Sequence, residues 1–112
     1  MKETCLRLLR YNAWANALFI SLLETLSEEQ ADAEIVSSFS SVSKTVYHLW
    51  DAEDIWLQRL DGAENPVWRV AQFEGSFAEA LAQWAQSSQA LIQFAEGLNE
   101  EVFLRRFGST NL

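Results

Sequence analysis

The chain has 112 residues, enough for one domain with a single modest core and too few for two. Its apolar fraction of 49% and its five tryptophans exclude a disordered chain. A net charge of −8, with only eight scattered bases, leaves no basic face for a phosphate backbone, so nucleic-acid binding is not expected.

The first predicted element is a long helix over 3–26, in which Cys5, Leu9, Phe19, Ile20, Leu23 and Leu26 recur at helical intervals. The lone Cys5 cannot form an internal disulfide, which fits a reducing, cytoplasmic setting, and it reads as a small buried hydrophobe. No uninterrupted apolar run follows Lys2 as a secretory signal would require, and no stretch approaches the ~20 apolar residues of a membrane span. Ser27-Glu28-Glu29-Gln30 has the form of a capping box and predicts a short helical turn before Ala33. The serine-rich stretch 37–41 is a loop ending in an N-cap.

A second long helix is predicted over 42–60, with Val42, Val46, Leu49, Trp56 and Leu60 on its apolar face and Asp61-Gly62 as its stop. Residues 61–75 form a connection with a turn at Asn65-Pro66, from which Trp68 and Phe73 tuck back onto the bundle. A second capping box, Ser76-Phe77-Ala78-Glu79, opens the third long helix. Its stripe is Phe77, Leu81, Trp84, Leu91, Ala95 and Leu98, with small Ser88 in the middle and Gly97 at the end. Beyond Asn99, Val102-Phe103-Leu104 reads as a strand-like piece or a single helical turn. Three amphipathic helices without a sheet predict one all-α domain over 1–112, packed as an up-down bundle.

Polar groups interrupt these stripes. Asn12 and Asn16 fall on the apolar face of the first helix, and Glu53 falls among Leu49, Trp56 and Leu60 on the second. Burying an amide or a carboxylate costs several kcal/mol unless it is partnered, so these three groups are expected to bond across the helix pair, aided by Arg7 or Tyr11. Two readings stand: a buried layer fixing helix register, or the lining of an active-site cavity.

His48, the only histidine, lies on the flank with Thr45, Ala52, Ile55 and Arg59; Asp51 is three residues on and is expected to face solvent. Its spacing supports no metal site, because no Cys/His cluster or second histidine accompanies it. The serines sit in loops and caps and suggest no nucleophile.

The whole pattern resembles the DinB-like (damage-inducible) family of four-helix-bundle proteins. Tyr11-Asn12-Ala13-Trp14-Ala15-Asn16 resembles the signature of that family's first helix. Ser38-Phe39-Ser40-Ser41, His48 and the run from Asp51 to Gly62 resemble its loop and second helix. The resemblance implies a divalent-metal site, commonly nickel or zinc, held by three histidines, with His48 in the place of the first and a His-x-x-x-His pair on a fourth helix supplying the others. It also implies kinship with metal-dependent thiol transferases and hydrolases, and a stress-response role.

Neither further histidine is present, and the chain stops about where the connection to the fourth helix belongs. A carboxyl-terminally incomplete bundle is therefore expected, with a metal site that is residual or absent. Such a bundle would expose an apolar groove, covered by a second copy in a homodimer or by Phe103, Leu104 and Phe107. Two functions follow: a metal-dependent enzyme with His48 as ligand and Asn12, Asn16 and Glu53 lining its cavity, or a non-catalytic helical module acting through homo-oligomerisation.

Overall fold

Serine and asparagine side chains set where every described α-helix but the first begins. In the computed structural model, which describes residues 1–107, α1 spans Lys2–Leu23, α2 Glu28–Asp32, α3 Val42–Leu60, α4 Phe77–Glu96 and α5 Glu100–Phe107; a 3-10 turn, Arg69–Gln72, lies between α3 and α4. Ser27 and Ser76 each close a full capping box, with Gln30 and Glu79 returning the bond to the cap amide. Ser41 accepts from the Lys44 amide at the start of α3, and Asn99 from the Val102 amide at the start of α5. Gly62, at φ 100°, follows the end of α3. Among the described residues there is no strand, and no helix is long and apolar enough to cross a membrane.

α4 is the centre of the bundle, packing against α1 on one side and α3 on the other, while α1 and α3 have little direct contact. The core is Ile20 of α1, Ala31 of α2, Val46 and Trp50 of α3, and Phe77, Leu81 and Trp84 of α4. The long helices do not simply alternate in direction. Val46 lies near Trp84, Glu53 reaches Ser87 and Ser88, and Leu57 lies near Ala90, so α3 and α4 run parallel. α1 runs against both, with Asn16 beside Ser88 and Lys2 beside Glu96.

Parallel neighbours need a return path, and residues 61–76 supply it by running back along α3. Gln58 clamps this crossover by accepting from the Val67 amide at 2.8 Å and donating to its carbonyl at 2.9 Å. Arg69 pairs with buried Asp54 at 3.4 Å, and the Phe73 ring stands edge-on to Trp50 with centroids 5.2 Å apart. Gly75 permits this: a Cβ there would lie 2.5 Å from the Phe73 ring. The Phe77 amide then donates to Glu28 at 2.6 Å, joining the start of α4 to α2.

The structure moves several expected positions. α1 ends at Leu23 and buries Leu6, Ala13 and Ile20, while Phe19 stays 60% exposed. The helix is apolar on more than one face, so periodicity alone could not choose the packed one. On α3, Trp50 is buried against the crossover and Trp56 is exposed; Trp68 is exposed too. Residues 102–104 lie in a regular helix. The cover expected from Phe103 and Phe107 falls on side chains outside the described residues, and Leu104 is exposed.

Removing the α4 cap with Ser76→Ala should cost about 1 kcal/mol. The urea midpoint should fall with an unchanged slope.

Candidate functional site

Glu53, midway along α3, accepts hydrogen bonds from both neighbouring long helices. Asn12 Nδ2 and Asn16 Nδ2, one turn apart on α1, donate to Oε1 at 2.9 and 2.8 Å. Ser87 Oγ and Ser88 Oγ, from α4, lie 2.8 Å from Oε2. Asn16 also donates to Ser88 Oγ at 2.9 Å. Each serine has one hydroxyl proton and also lies near the Trp84 carbonyl, at 2.9 and 3.2 Å, so each divides its donation between the two acceptors. A carboxylate offers about four acceptor positions, and four donors surround this one. The three polar residues singled out in sequence are thus brought together, with Ser87 and Ser88 as the remaining partners rather than Arg7 or Tyr11. The signal for them was a pair of adjacent serines in the middle of an apolar helix.

His48 lies elsewhere. Its exposed ring stacks on Phe39, with centroids 4.6 Å apart at 28°. Asp51, expected to face solvent, is instead half-buried, because the crossover runs over this side of α3. Its Oδ1 is buried without a hydrogen-bond partner. Burial pushes the Asp51 carboxyl up from its ordinary range and the charge of Asp54 adds to this, while the Val70 amide and His48 oppose it. Burial also raises the half-buried Cys5 thiol, which makes it a poorer thiolate and supports its reading as a packing residue.

The donor set does not fit the three-ligand metal site that the resemblance implied. Among the described residues no group of three His, Cys, Asp or Glu side chains could hold an ion. A nickel or zinc site takes three or four protein donors, and His48 with nearby Asp51 falls short.

Between α1 and α3, on the side away from α4, lies an open groove of about 510 Å³. Phe19 and Leu23 of α1 form one wall, Val42, Val46 and Leu49 of α3 the other, and Trp84 the floor. Asn16 lines it as well, at the edge of the Glu53 layer, whereas His48 stands outside. Trp84 is 2% exposed, and its indole N–H is buried without a partner.

The DinB family model matches residues 1–110. The chain belongs to the DinB family. Neither the curated proteins nor the solved structures gave a match. The matched residues include the Tyr11–Asn16 segment, in which Asn12 and Asn16 hold the carboxylate.

Glu53→Leu, which leaves four donors facing an apolar side chain, should cost roughly 3 kcal/mol in urea unfolding; Glu53→Gln, which keeps one carbonyl acceptor, should cost about 1 kcal/mol. For Asp51, a raised folded-state pKa means that the fold favours the protonated acid. That contribution is fully present below the unfolded value near ~4 and is lost as pH rises through the folded value. Asp51→Asn should therefore raise the urea midpoint at neutral pH, with the gain shrinking as the pH is lowered through the acid range.

Proposed function

We propose that this DinB-family chain acts as an association module, working through the apolar surface that α1 and α3 leave open rather than through a reaction in the bundle interior. The observation that carries this reading is the contrast between inside and outside. The interior carboxylate spends its acceptor positions on its own helices, while Leu8, Trp14, Leu18, Phe19 and Leu22 of one helix are all more than half exposed. Contiguous apolar surface of this kind marks a protein interface more often than a solvated face. The partner is a second copy of the chain, and the acidic balance argues against nucleic acid.

A second reading, as a metal-dependent thiol transferase or hydrolase, has family membership and the accessible ring of His48 in its favour. It requires donors beyond the described residues.

Sedimentation equilibrium of the untagged protein, combined with elemental analysis, separates the two. A concentration-dependent dimer without stoichiometric metal supports the association module. Stoichiometric nickel or zinc that disappears in His48→Ala, in a protein that sediments as a monomer, sinks it in favour of the metalloenzyme.

A further inference from the structure

Arg69 and Asp54 line a cavity of about 150 Å³ between α3, α4 and the crossover, and their charges are only half used. Asp54, 6% exposed, takes both of its contacts on Oδ2: Gln58 Nε2 donates at 2.7 Å and Arg69 Nε lies at 3.4 Å. Among the described residues no hydrogen bond reaches Oδ1. The Arg69 contact, at 3.4 Å, is longer than the ~2.8 Å of a charge-assisted bond, and no other polar contact among the described residues holds that side chain. Its Nη groups, the fork that grips a carboxylate from two sides, are therefore uncommitted. Gln83 and Gln86 of α4 add two exposed side-chain amides to the lining, also without partners among the described residues.

Charge and size narrow what such a cavity takes. Asp54 and Arg69 together are neutral, so a lone cation is repelled by Arg69 and a lone anion by Asp54. The other carboxylates of this stretch of α3 stand outside the lining: Glu53 faces the asparagines and serines of the central layer, and Asp51 lies a turn earlier. A molecule that carries both charges a few bonds apart matches both walls. A space of about 150 Å³ holds roughly six heavy atoms, too few for a nucleotide. Leu57 and Ala90 offer apolar surface to a short aliphatic body.

We propose that this cavity binds a small zwitterion, a free amino acid with a short side chain. Its ammonium group donates to Asp54 Oδ1, and its carboxylate accepts from the Nη groups of Arg69. Asp54 keeps Oδ2 for Gln58, so binding leaves the clamp on the crossover in place. The cavity shares no residue with the groove between α1 and α3, so the proposal stands apart from the association reading.

The test titrates the full, isotope-labelled chain with L-alanine and L-serine through the tens of millimolar and follows its NMR signals. Saturating shifts should centre on the side-chain amides of Gln83 and Gln86 and on the indole N–H of Trp50, which lies in the cavity wall. Arg69→Gln and Asp54→Asn should each weaken binding by roughly tenfold or more. The Arg69 side chain is 62% exposed, so its variant should keep the helical content of the parent. Ethylamine and propionate, each carrying one of the two charges, should bind at least about tenfold more weakly than alanine. Signals that stay unmoved by alanine and serine overturn the proposal, as do shifts that survive Arg69→Gln undiminished. Ethylamine or propionate binding as tightly as alanine overturns it too, because the site would then read a single charge.

Discussion

The Glu53 carboxylate is the constraint on which the arrangement of the long helices depends. α1 and α3 barely touch, and the strongest link between them is this group, held by two amides from one side and two hydroxyls from α4 on the other. Apolar contacts tolerate a slide of one helix along its neighbour at modest cost; four directed hydrogen bonds to two oxygen atoms do not. Taking a carboxylate out of water is unfavourable unless its acceptors are filled, so the layer specifies register more than it adds net stability. The groove lies beside this layer, and Asn16 is common to both.

A polar layer closed on itself has consequences for chemistry. The two oxygens of this carboxylate face two amide donors and two hydroxyls that are shared with the Trp84 carbonyl. The polar groups left unsatisfied lie elsewhere. Trp84 keeps an unpartnered indole N–H beneath the groove, Asp51 keeps an orphaned oxygen beneath the crossover, and α1 keeps an apolar stripe in water.

How legible these features were depends on how local their causes are. Both capping boxes could be read directly, because a serine and a Glu or Gln three residues later determine them with no help from the rest of the chain. The α4 stripe was legible too: a helix at the centre of a bundle buries most of its apolar residues, so its periodicity and its burial agree. α1 misled because it is apolar nearly all round, and which side packs is decided by α4 rather than by its own pattern. Asp51 misled, and Trp50 was left out of the apolar face, for a related reason. Their surroundings come from a crossover that returns along α3, and the parallel run of α3 and α4 cannot be seen in either helix alone. Ser87 and Ser88 were hidden by their type, since serine in a helix reads as small before it reads as a donor.

The exposed side of α1 and the groove are two parts of one surface, and Phe19 joins them. It forms a wall of the groove and is itself 60% exposed, on the same helix as exposed Leu8, Leu18 and Leu22. α1, α4 and α3 occupy three corners of a four-cornered cross-section, with the groove at the fourth. A helix with apolar residues on two opposed sides can satisfy only one of them within such a bundle. In α1, Leu6, Ala13 and Ile20 turn inward, and Leu8, Leu18 and Leu22 on its far side stay in water.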